Sequence, residues 1–125
     1  MQSKELAIRI TQVLDKKKAD SLKVLGIEDL TVLTDYFVIA TGTSTTHVKA
    51  LAEEVEFQMG QQGVPVLRSE GWDTQRWILL DFGGVIVHVF CPDARNYYDL
   101  EHLWADGTPL DLSEFLVEPD AAPAE

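Results

Sequence analysis

The stretch from Arg76 to Phe90, RWILLDFGGVIVHVF, constrains this chain more than any other. Two apolar, largely β-branched runs flank Gly83-Gly84. A two-residue turn needs φ > 0 conformations that only glycine adopts cheaply, so the pattern predicts a β-hairpin. With the glycines as the turn, Phe82 faces Val85, Asp81 faces Ile86 and Leu80 faces Val87, followed by Leu79 with His88, Ile78 with Val89 and Trp77 with Phe90. Side chains alternate between the two faces of a strand. One face therefore carries Ile78, Leu80, Phe82, Val85, Val87 and Val89, is wholly apolar, and must be core. The other carries Trp77, Leu79, Asp81, Ile86, His88 and Phe90. Such a mixed face is either covered by helices with its polar groups paired, or partly open as an interaction surface.

Around the hairpin the chain reads in order. Residues 3–18 predict an amphipathic helix with Leu6, Ile10, Val13 and Leu14 on one side, Ser3 as N-cap and Lys16-Lys17-Lys18 at the negative end of the dipole. Strands are predicted over 22–27 and 36–40. A polar turn, Thr41-Gly42-Thr43-Ser44, leads to a helix over 46–61, capped by Ser44 or Thr45 and stopped by Gly63. Val64 to Arg68 predicts a further strand. After the hairpin, Pro92 and Asp93 open a last helix with Ala94, Tyr97, Leu100, Leu103 and Trp104 as its apolar stripe. From Ala105 the chain has no Lys or Arg, several acids, and Pro109, Pro119 and Pro123. The expected division is one folded domain over 1–105 and an acidic, proline-containing tail over 106–125 that is disordered by composition, with Leu110, Leu112, Phe115 and Leu116 able to dock as a short segment. The order of elements describes a single α+β domain, a mixed β-sheet with flanking helices.

Charge narrows the partners. Ten basic residues stand against 21 acidic ones, a net charge of −11. A protein that grips phosphates directly shows a basic stripe, so contact with protein is expected rather than direct, sequence-specific contact with nucleic acid. No apolar run approaches the roughly 20 residues that span a bilayer. The N-terminal residues carry acids and lack the apolar core of a signal peptide. The expectation is no membrane and a cytoplasmic location. A single cysteine, Cys91, excludes an intramolecular disulfide.

Catalytic signatures are sparse. Strand, Gly42-Thr43-Ser44 and helix could seat a phosphate at the helix N-terminus, or simply cap the helix. Nucleotidyltransferases combine such a turn with paired carboxylates that hold two metals. Here Asp81-Phe82-Gly83 offers one carboxylate with no acidic partner two residues on. His47, His88 and His102 have no metal-ligand spacing, and Cys91 points away from His88. No catalytic residue, cofactor or metal is expected. The aromatics say more. Trp77 and Phe90 lie on the mixed face, and Tyr97, Tyr98 and Trp104 on the helix that follows after only Cys91 and Pro92. Neighbours on a helix point about 100° apart, so Tyr97 and Tyr98 cannot both face the core. Tyr and Trp dominate interface hot spots, and one surface combining Trp77, Leu79 and Asp81 with Tyr98, extended by Leu100 or His102, is expected.

Four segments carry a resemblance: Leu33–Ser44 (LTDYFVIATGTS), Trp77–Gly83 (WILLDFG), Val85–Phe90 (VIVHVF) and Tyr97–Trp104 (YYDLEHLW). In this order they resemble the ribosomal silencing factor family, also called the Iojap family, over roughly residues 3 to 105. The resemblance implies a nucleotidyltransferase-like fold without the catalytic carboxylate pair and without enzymatic activity. It implies binding to the large ribosomal subunit through its fourteenth protein, steric blocking of small-subunit joining, repression of translation under nutrient limitation, and a homodimer when free. By position it makes Trp77 and Tyr98 contact residues, with Leu79, Asp81 and Leu100 near them. The alternative reading is a nucleotidyltransferase-like enzyme that uses Gly42-Thr43-Ser44 for phosphate and Asp81 for a metal.

Overall fold

The computed structural model describes residues 1–116. The elements are α1 (Ser3–Lys16), β1 (Asp20–Gly26), β2 (Tyr36–Thr41), α2 (Thr45–Gln61), β3 (Arg68–Glu70), β4 (Trp77–Asp81), β5 (Val85–Phe90), α3 (Pro92–Tyr98), α4 (Leu100–Leu103) and β6 (Thr108–Pro109), followed by a 3₁₀ turn at Leu112–Glu114. The strands form one sheet in the order β3-β4-β5-β2-β1-β6. Only β2 and β5 pair in parallel, so the sheet is mixed and the domain is α+β, as expected.

The hairpin has the register its glycines predict, from Trp77–Phe90 to Asp81–Ile86. Its two glycines do different work. Gly83 takes φ +92°, the left-handed conformation of the first central residue, and Phe82 N–H closes the turn on the Val85 carbonyl at 2.9 Å. Gly84 has ordinary φ but no room: a Cβ there would meet Ser3 Oγ at 2.1 Å. Ser3 does not cap α1, contrary to expectation. Its hydroxyl donates to Asp35 Oδ2 at 2.6 Å, which pins the helix start beside the turn.

The apolar hairpin face is fully core, with Ile78, Leu80, Val85, Val87 and Val89 without solvent exposure. α1 packs over β1 and β2, and α2 over β4 and β5, and both bury their stripes on this side. Ser44 caps α2, accepting from His47 N–H at 3.1 Å, and Gly63 follows the helix with φ +80°.

Three further expectations needed correction. Val64 to Arg68 is not a strand: Pro65 lacks a donor, Val64 and Val66 only pack on the core, and ladder pairing with β4 starts at Arg68. The last helix is not continuous. Asp99 adopts φ 46° and ψ 54°, a left-handed conformation that Asp tolerates, and breaks it into α3 and α4. Leu100 and Trp104 thereby turn onto the sheet, whereas Tyr97 and Leu103, both expected in the stripe, are 82% and 70% exposed. The sheet also continues past residue 105. β6 pairs with β1, and Leu110 and Leu112 dock on the core, so 106–116 is part of the fold. The remainder of the expected tail, 117–125, lies outside the described residues.

Two glycines separate conformational need from conformational cost. Gly60 lies in the last turn of α2 with nothing within 4 Å of an added Cβ, while Gly83 needs its positive φ. Gly60→Ala should stabilise the protein by about 0.5–1 kcal/mol, and Gly83→Ala should destabilise it by about 1–2 kcal/mol. Urea unfolding of the two variants measures both signs.

Candidate functional site

The sheet's second face is half clothed. The pairing registers put Leu25, Phe37, Ile39, Leu79, Ile86, His88, Phe90 and Trp77 on it, away from α1 and α2. At the β1–β2 side Trp104 covers it, meeting Phe37 in a T-shaped contact with ring centroids 5.3 Å apart. At the β4 side no helix among the described residues lies over it, and Trp77, Leu79, Asp81 and Ile86 stay half-buried. The mixed face is therefore covered over one part and open over the other.

Trp77 is the centre of the open part. Its ring sits 4.6 Å from Tyr98 and 5.0 Å from Phe90, centroid to centroid. Tyr98 is 49% exposed and closes the patch from α3, with Tyr97 edge-on beside it at 5.1 Å. The α3–α4 corner that carries Tyr98 is held by Arg95, which pairs with Glu101 across the break (Nε to Oε1 3.0 Å), donates to Thr41 Oγ1 at 2.8 Å and reaches the Ser21 carbonyl. Asp93 braces α3 from its start. It accepts from Arg76 at 2.5 Å, and that bond holds its carboxyl down at about 2.

The expected site residues are thus placed unequally. Trp77 and Tyr98 touch. Leu79 continues the face along β4, and Asp81 ends it, bound to Gly83 N–H at 2.8 Å and facing Arg68 at 3.8 Å. Leu100 packs inward on the core and is separated from the open patch by the Asp99 break. The sequence reading missed Tyr97 and Leu103 as exposed residues, because helical periodicity assumes an unbroken helix. An Asp at the break was the only available signal.

His88 lies beneath Trp77. The indole N–H donates to His88 Nδ1 at 3.1 Å, and Phe37 packs edge-on against the imidazole at 4.8 Å. Burial pushes the imidazole pKa down to about 4. The unfolded chain protonates His88 near 6.5. Between those values the unfolded state binds more protons than the native state, so stability falls as pH drops through this window. The contribution of His88 to the loss between pH 7.5 and pH 5 should be about 2 kcal/mol. Urea titrations at both pH values should show that His88→Phe loses most of this slope.

The Gly42-Thr43-Ser44 turn is internally committed. Thr43 N–H donates to His47 Nδ1 at 2.9 Å, Ser44 Oγ takes His47 N–H, and His47 Nε2 reaches the Lys17 carbonyl at 3.0 Å, tying α2 to the end of α1. Gly42 is required for close packing, since a Cβ would meet Val48 N at 2.8 Å. Asp81 is at the other end of the sheet: Thr41, Phe90 and Trp77 are in register, and Asp81 lies four residues beyond Trp77, about 13 Å along the strand. The turn and the carboxylate thus lie at opposite ends of the sheet, apart from each other. Among the described residues no three His, Cys, Asp or Glu side chains are grouped to hold a metal, and no helix is long and apolar enough to cross a membrane. Cys91 is buried, its thiol pushed up by burial and donating to Asp93 Oδ1 at 3.2 Å. Millimolar magnesium-ATP should leave the melting temperature unchanged, because a ligand raises it only by binding the native state. A saturable rise abolished by Asp81→Ala would restore the enzyme reading.

Fold and face define the class: an α+β domain of one mixed sheet, helices on one side and a partly open aromatic face on the other. A family profile described as "Ribosomal silencing factor during starvation" matches residues 1–125. Ribosomal silencing factor RsfS of Bacillus subtilis is 43% identical over 98 residues, covering 78% of this chain and 83% of that protein. The factor of the same name from Halalkalibacterium halodurans is 38% identical, covering 90% and 96%. A crystal structure of a Chromobacterium violaceum protein superposes with a TM-score of 0.82 at 35% identity over the full length of both chains. The chain belongs to the ribosomal silencing factor family, whose members are regulators rather than known enzymes.

Proposed function

We propose that this protein is a non-enzymatic translational repressor that binds the large ribosomal subunit through its fourteenth protein and, by occupying that face, sterically blocks joining of the small subunit under nutrient limitation. The observation that carries the reading is the Trp77–Tyr98 pair, two large aromatics in contact at the uncovered end of the sheet. Leu79 and Asp81 extend the contact along β4, and Leu100, packed on the core beyond the Asp99 break, lies outside it. Membership of a family named for ribosome silencing supports the ribosome as the partner.

Physically, the mechanism is occlusion. An aromatic anchor that is already packed loses little side-chain entropy on docking. A net charge of −11 attracts a basic ribosomal protein and repels bare RNA. No chemical step is needed, so the site requires no cofactor. The protein acts in the cytoplasm, where subunits join. When free, two copies associate through the same aromatic face, and this competes with the ribosome.

Trp77→Ala should weaken large-subunit binding by at least about 30-fold, the scale of a hot spot of roughly 2 kcal/mol. Sedimentation with purified subunits through sucrose gradients tests it. Wild type should co-migrate with the large subunit alone and reduce joined particles, and the variant should remain near the top. Equal co-migration of folded Trp77→Ala would remove Trp77 from the contact. Wild type that never leaves the top would remove the ribosomal reading itself.

A further inference from the structure

Stacking alone does not orient Trp77. Its contacts with Phe90 and Tyr98 are tilted, at 31° and 46° between ring planes, and such contacts tolerate sliding and a half-turn of the indole. The bond from indole Nε1–H to His88 Nδ1, 3.1 Å across the β4–β5 pair, does not. It is directional, and flipping the ring would carry the N–H away from its acceptor.

The imidazole carries a cost that bulk alone would not explain. An indole N–H only donates, so Nδ1 must accept and the neutral ring must keep its proton on Nε2. That nitrogen is buried with no hydrogen-bond partner among the described residues. Phenylalanine would fill a similar volume between Phe37 and Trp77 without an unpaired polar atom. A buried unpaired group of this kind calls for a compensating use of the rest of the side chain, and among the described residues the side-chain hydrogen bond of His88 is the one with Trp77.

Resting on the docking reading above, we propose that His88 is a positioning residue for the docking face, fixing the plane and edge that Trp77 presents to its protein partner. Burial keeps the imidazole neutral well below physiological pH, so Nδ1 remains an acceptor whenever the protein is folded under cellular conditions. Preorganisation of the anchor then appears as affinity, because the bound rotamer is already selected in the free protein.

The test uses His88→Phe, which keeps an aromatic ring and loses the acceptor, and His88→Asn, whose side-chain oxygen can replace Nδ1. Two measurements are made on the full chain: the Trp77 indole N–H resonance by ¹⁵N NMR in the free protein, and affinity for purified large subunits. In His88→Phe the indole resonance should shift towards that of a non-hydrogen-bonded N–H, and affinity should fall about five-fold, the worth of one net hydrogen bond. His88→Asn should recover part of both. In a Trp77→Phe background, His88→Phe should add less than two-fold, because it acts through the indole. An unshifted resonance in folded His88→Phe, or an unchanged affinity where Trp77→Ala is strongly impaired, would overturn the positioning role while sparing the docking reading. Should Trp77→Ala itself bind normally, the docking reading fails, and with it the role of His88 in binding. If His88→Phe does not fold, His88→Asn decides: resonance and affinity should move together, and a shifted resonance with unchanged affinity, or lost affinity with an unshifted resonance, would overturn the proposal.

Discussion

Because β2 and β5 run parallel in register from Tyr36–Val85 to Thr41–Phe90, the chain between them must cross over, and α2, β3 and β4 are the content of that crossover. The pairing makes β5 a central strand with both faces spoken for. Val85, Val87 and Val89 meet the helix layer, and His88 and Phe90 are buried on the far side. Everything on the second face follows from this placement. Burial keeps this histidine neutral, and its accepting nitrogen takes the indole N–H of Trp77. The strand that ends in the α3 corner also brings Tyr98 back over Trp77.

The second face divides at this strand. On the β1–β2 side, Trp104 and Leu100 supply the cover that a helix layer would otherwise give. On the β4 side the edge strand β3 is only three residues long and carries Arg68 and Glu70, so charge rather than apolar mass flanks the sheet edge. Short charged edges resist adventitious strand pairing. The aromatic patch is therefore bordered by charge on one side and by the α3 corner on the other.

The turn before α2 shows how a backbone that suggests phosphate chemistry can also serve packing. A glycine-containing turn at a helix N-terminus is a place for phosphate when its amides are free. Here His47 reaches back for Thr43 N–H, Ser44 takes the His47 amide, and Gly42 is pressed against Val48. The turn thereby joins two helices to the sheet.

Local pattern was enough to read much of this protein from its residues. The glycine pair and alternation specified the hairpin and its register, helical spacing specified the inward stripes of α1 and α2, and the absence of a carboxylate partner for Asp81 spoke against metal chemistry. These are properties of neighbours in the chain, set by sterics and by the period of each element. Tertiary structure alone decided the rest: the parallel β2–β5 pairing, the break at Asp99 that exposes Tyr97 and Leu103, the return of 106–116 to the sheet edge, and the His88–Trp77 bond. Each depends on residues far apart in sequence meeting in space. Side-chain periodicity carries no information about which distant partner satisfies a buried polar atom.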